Sequence, residues 1–128
     1  VVEDGTDVTL IAVGDMVSRA ATAAKKLKEE GISAAVIDMA SVKPIDEALV
    51  VEYAKKTGCI VTAEDHNIMG GLGGAVSEVL AKHQPVPQEM VGLQDQFGRS
   101  GTPADLAEYY GLTAEKIVEA AKKCMQRK

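Results

Sequence analysis

Ala63-Glu64-Asp65-His66-Asn67-Ile68-Met69-Gly70-Gly71-Leu72-Gly73-Gly74-Ala75-Val76 is the stretch on which the reading of this chain turns. It leaves a short apolar run, Cys59 to Ala63, whose β-branched content and length fit a buried strand. Polar residues follow, Asp65, His66 and Asn67 among them, and then four glycines in five positions. Beyond the glycines, Leu72, Val76, Val79 and Leu80 recur at helical spacing. In an open α/β sheet the turn between a strand's carboxyl end and the next helix is where functional groups gather. The stretch therefore predicts a strand–loop–helix unit carrying the contact surface of the domain.

The flanking sequence repeats that unit. Upstream, Val8 to Val13 is almost wholly apolar, as a strand covered on both faces should be. Gly14 permits a turn, and Asp15 can cap a helix from Met16 in which Val17, Ala20, Ala24 and Leu27 share a face. Gly31 ends that helix. Ala34 to Met39 is a second strand, and Lys43-Pro44 bars further helix. Asp46 caps a helix with Leu49, Val50, Tyr53 and Ala54 inward, closed by Gly58. Downstream of the glycines, Pro85 and Pro87 precede a short strand, Glu89 to Leu93. Thr102-Pro103-Ala104-Asp105 starts a short helix expected to stop at Gly111, and Thr113 is expected to cap a separate last helix burying Ile117, Val118, Ala121 and Cys124. Strand and helix alternate throughout, which predicts one domain over residues 1–128, a three-layer α/β/α sandwich around a mostly parallel sheet.

Composition narrows the function. A chain of 128 residues can bury a real core in one domain. A net charge of −5, no Trp and a single Phe argue against a nucleic-acid partner. No apolar run reaches the length of a membrane span, and no leader opens the chain, so a membrane is not expected. The first residue is Val, as in a chain cut from something longer. Cys59 and Cys124 are too few for a disulfide scaffold, and reduced, structural thiols in a cytoplasmic protein are the expectation.

His66 beside Glu64 and Asp65 has two readings: an acid–base group oriented by a carboxylate, or a loop histidine with structural hydrogen bonds. His83 suits a helix C-terminus. With no cysteine or second histidine at ligand spacing, a metal site is not predicted. The glycines fail the dinucleotide fingerprint, since Val76 stands where the third glycine belongs, and no Lys-Ser or Lys-Thr pair makes a phosphate loop. Close packing of helix on strand, or on another subunit, competes with an anion held on free helix amides. Arg99, between Gly98 and Gly101, is either an anion hook or a surface or intersubunit arginine. No serine has the context of a catalytic nucleophile.

Four collinear stretches carry a family resemblance: DVTLIAVGDMVSRAATAAKKL from Asp7, GISAAVIDMASVKPID from Gly31, AEDHNIMGGLGGAVSEVL from Ala63 and FGRSGTPADLAEYYGLTAEKIVEAA from Phe97. Together they resemble the C-terminal domain of transketolase, especially its split form. The domain that closes deoxyxylulose-phosphate synthase and the pyruvate dehydrogenase beta subunit is similar. Where many relatives have Gly-Ser-Glu after the first strand, this chain has Gly14-Asp15-Met16.

The resemblance implies a five-stranded sheet with Val1 to Glu3 as an antiparallel edge strand. It also implies an enzyme that moves a two-carbon ketol unit between sugar phosphates, in the pentose phosphate pathway, using thiamine diphosphate and a divalent metal such as Mg. In such enzymes the cofactor is held by other domains or by an N-terminal subunit, so this chain would be inactive alone, with no cofactor or catalytic residue of its own. Its role would be packing and homodimer assembly, with Asp65, His66, Asn67, Gly70, Gly71, Gly73 and Arg99 as interface or anion-site candidates. Two alternatives stay open: a free-standing module for a nucleotide or organic anion, and the equivalent domain of deoxyxylulose-phosphate synthase or of a pyruvate dehydrogenase beta subunit.

Overall fold

A computed structural model describes residues 1–14, 16–39, 45–65, 71–93 and 103–128, without the side chains of Asp65, Leu93 and residues 103–112. The elements alternate as the apolar pattern requires: β1 (Val8–Ala12), α1 (Met16–Glu29), β2 (Ala34–Asp38), α2 (Glu47–Thr57), β3 (Ile60–Asp65), α3 (Gly71–His83), β4 (Gln88–Leu93) and α4 (Pro103–Gln126). All four strands run parallel in the order β2-β1-β3-β4.

Because successive side chains of a strand point to opposite faces, the sheet feeds two cores. Val8, Leu10 and Ala12 of β1, with Val61 and Ala63 of β3, pack beneath α1 and α4, against Ala20, Ala24, Leu27, Ile117 and Ala121. Ile11, Ile37 and Ile60 face the other way, against Val50, Tyr53 and Ala54 of α2 and Leu72, Val76 and Leu80 of α3. The three-layer α/β/α architecture is thus the one expected from the sequence.

Local signals hold where they are strongest. Asp46 accepts from Leu49 N at 3.1 Å and starts α2. Gly58 ends it at φ 78°, and its amide donates to Ala54 O. His83 closes α3 as its last residue. The cap assigned to Asp15 lies outside the described residues.

Three expectations are corrected. Among the described residues the sheet has four strands, not five: Val1 to Glu3 makes only a single antiparallel bridge, Glu3 to Val36, on the outer edge of β2. Val2 and Glu3 amides both donate to Val36 O, and Val36 N donates to Glu3 O, so the contact is too short to extend into a strand. The segment is nonetheless pinned. Gly5 is buried so closely that a Cβ there would lie 2.3 Å from Ala34 C, and Asp4 Oδ1 accepts from Tyr53 Oη at 3.0 Å and Lys56 Nζ at 2.6 Å.

Secondly, there is no break at Gly111. Helix α4 runs unbroken from Pro103 to Gln126. An interior glycine costs a helix only about 1 kcal/mol relative to alanine, and burial of Ala114, Ile117, Val118, Ala121 and Cys124 on one face outweighs it. Thirdly, β3 continues two residues past Ala63, so Glu64 and Asp65 belong to the strand rather than to the loop.

Candidate functional site

The extension of β3 decides where Glu64 points. Ile60 faces the α2/α3 layer, and Thr62 and Glu64 follow at two-residue steps on the same side. Glu64 is therefore driven inward, and it is only 1 % exposed. A carboxylate buried so deeply needs partners, since an unpaired one is costly. It finds them in the first turn of α3: Gly73 N donates to Oε2 at 2.7 Å, and Leu72 N donates to Oε1 at 3.3 Å. The negative charge also faces the positive end of the helix dipole.

The glycine at 73 makes this approach possible. A Cβ on Gly73 would lie 3.2 Å from Glu64 Oε2 and 2.5 Å from the sulfur of Met90. Met90, on β4, lays its thioether over the bare backbone while the residue as a whole stays 55 % exposed. On the other side of the same residue, Gln88 Nε2 donates to Gly73 O at 3.1 Å. One glycine is thus held at its N–H by β3 and at its carbonyl by β4, which fixes the start of α3 against two adjacent strands.

Of the residues singled out from sequence, Gly71 and Gly73 open α3, and Asp65 ends β3 next to Glu64, paired in register with Leu93. His66, Asn67, Gly70 and Arg99 lie outside the described residues. Glu64, considered only as a partner for His66, holds the helix instead, and Gln88 and Met90 were not singled out. The signal for Glu64 was the strand alternation, had the strand been carried two residues further. For Gln88 and Met90 no local signal existed, because their role depends on β4 lying beside β3.

The chemistry available is that of a structural joint. Both carboxylate oxygens are engaged inside the protein, and the Leu72 and Gly73 amides, which would otherwise face an anion, are occupied by Glu64. Among the described residues, no three His, Cys, Asp or Glu side chains gather to hold a metal. The described residues accordingly do not fit a diphosphate held with its metal ion. Nor, among them, is any helix long and apolar enough to cross a membrane.

The class these elements define is a parallel α/β domain whose glycine turn is closed by its own buried glutamate. The chain belongs to the transketolase C-terminal domain family, whose sequence model matches residues 1–117. It is 46 % identical over 125 residues to the 6-deoxy-6-sulfo-D-fructose transketolase subunit SqwH of Clostridium sp. (strain MSTE9), covering 98 % of this chain and 39 % of that protein. It is 42 % identical over 118 residues to an apulose-4-phosphate transketolase subunit of Phocaeicola vulgatus, covering 92 % of this chain and 38 % of that one. A solved split-gene transketolase, described as an inactive β4 tetramer, superposes with a TM-score of 0.85 at 52 % identity, over 100 % of this chain and 42 % of its own. The chain thus spans about two fifths of the length of these relatives.

Proposed function

We propose that this chain is the C-terminal part of a transketolase-type enzyme that moves a two-carbon ketol unit between sugar phosphates, and that its own task is packing and assembly. In this reading, thiamine diphosphate and a divalent metal such as Mg are held by thiamine-binding domains or an N-terminal subunit of the same enzyme, and this chain is inactive without them. Family membership and the split relatives support the assignment. The observation that carries the structural role is Glu64: its carboxylate is spent on the amides of α3, which makes the family's glycine turn a joint.

The surface beside that joint, which Asp65, His66, Asn67 and Gly70 adjoin in sequence, is the proposed contact with the rest of the enzyme and with a second copy, and Arg99 is a further candidate for such a contact. Two fully buried free thiols support a reducing, cytoplasmic setting. The relatives named for a sulfosugar and for apulose phosphate make the choice of ketose the open variable, with the pentose phosphates as the first to assay.

The test is reconstitution. Mixing the chain with the thiamine-binding polypeptide should give co-elution on size exclusion and ketol transfer that neither component shows alone. Failure to associate, or tight calorimetric binding of thiamine diphosphate or a nucleotide by this chain by itself, would overturn the proposal.

A further inference from the structure

The chain contains two cysteines, far apart in sequence, and the fold brings them into one buried cluster. Cys59 immediately precedes β3, and its Sγ lies 3.5 Å from Asp7 O. Cys124 sits in the final turn of α4, with Sγ 3.4 Å from Ile60 O and 3.3 Å from Pro87 O. Ile60 is the residue after Cys59, so the α4 thiol is lodged against the start of the strand that the other thiol introduces. Both side chains are fully buried, and both thiols are free.

Cys124 beside it pushes the Cys59 thiol up, with burial adding to the effect. Cys59 in turn lowers the Cys124 thiol, making it the readier nucleophile of the two. Neither thiol takes part in the glutamate joint, which lies at the opposite end of β3.

We propose that Cys59 and Cys124 form a redox pair that closes to an intramolecular disulfide when hydrogen peroxide reaches it, stapling the last turn of α4 to the start of β3. The Cys124 sulfur attacks one peroxide oxygen, the O–O bond breaks, and the departing oxygen leaves as water with the thiol proton; Cys124 becomes a sulfenic acid. The Cys59 sulfur then attacks that sulfur. The S–S bond forms, the S–O bond breaks, and the hydroxyl departs as a second water with the Cys59 proton. Two electrons pass from the thiol pair to the peroxide, and a dithiol reductant reverses the change.

Access is through the end of α4. Terminal helix turns open at much lower free energy than cores, and Cys124 is two residues from the last helical residue, Gln126. A peroxide is small enough to use such an opening, whereas a bulky aromatic disulfide reagent is not.

The experiment treats the chain, in its natural polypeptide context, with hydrogen peroxide. Remaining thiols are then alkylated after unfolding, and a non-reducing digest is mapped by mass spectrometry. The expected product is one peptide pair joining Cys59 to Cys124, lighter by two hydrogens and separated again by dithiothreitol. Amide exchange at the end of α4 should slow several-fold in the oxidised form. Cys124→Ser should abolish the link and leave Cys59 alkylatable; if that variant does not fold, the map of the unaltered protein decides alone. Thiols that stay fully alkylatable after peroxide, that go separately to sulfinic acids, or that link only between chains would overturn the proposal.

Discussion

Replacing Glu64 tests the joint that the fold builds around its glycine turn. In Glu64→Ala, the amides of Leu72 and Gly73 lose their acceptor inside the protein, where water does not replace it. The 2.7 Å bond to Gly73 is short and charge-assisted, contributing about 2 kcal/mol net, and the longer one to Leu72 about half that. The carboxylate's position at the start of α3 adds up to about 1 kcal/mol. The loss should therefore be about 3–4 kcal/mol, which for a domain of this size lowers Tm by roughly 10–15 °C.

Glu64→Gln keeps the shape and one acceptor but loses the charge and turns an NH2 toward an N–H, so about 1–2 kcal/mol is expected. Urea denaturation with an unchanged m-value measures the stability. Hydrogen exchange should show the Leu72 and Gly73 amides exposed first, ahead of global unfolding. An Ala variant within about 0.5 kcal/mol of the parent, with those two amides still protected, would refute the account of how α3 is held.

Three further outcomes follow from other contacts. Gly5→Ala should cost about 3 kcal/mol or more, read by chemical denaturation, because its Cβ would meet the Ala34 backbone, which cannot swing aside as a side chain can. Gly58→Ala should cost about 1 kcal/mol in the same assay, since φ of 78° is strained for any residue with a Cβ, while the added Cβ would meet the Lys128 side chain only at an ordinary contact distance of 3.7 Å. The Asp4 carboxyl should titrate below the usual carboxylate range by NMR, chiefly because Lys56 donates to it, with Tyr53 adding to the effect. Its folded-state value being depressed, the stabilisation is present above about pH 4 and fades as pH falls through the folded value; Lys56, raised by the same bond, loses its share only as pH climbs beyond about 10. Lys56→Ala should move the Asp4 titration back up, and an unmoved curve would remove the ion pair from the account.

How much of this was legible beforehand differs element by element. Apolar runs such as Val8 to Ala12 and capped, periodic segments such as Asp46 to Gly58 declare themselves because burial on both sheet faces and helix termination are local demands on residue type. Gly111 and Thr113 misled because capping chemistry is a weak preference, of about a kcal/mol, that a long buried face overrides. Val1 to Glu3 misled in the opposite sense: the resemblance implied a strand, and the chain makes one bridge. At the site, Gly71 and Gly73 were visible as a pattern, but why position 73 must lack a Cβ was not, since Met90 and Glu64 reach it from two different strands.

Residue order alone determined the alternation of strands and helices, the apolar surfaces they bury and the family to which the chain belongs, because each rests on spacing along one segment. Tertiary structure alone decided that Glu64 turns inward to hold α3, that Gln88 and Met90 enclose Gly73, and that Cys59 meets Cys124. Those contacts join segments distant in the chain, and their geometry exists only once β3 is flanked by β1 and β4 and covered by helices on both faces.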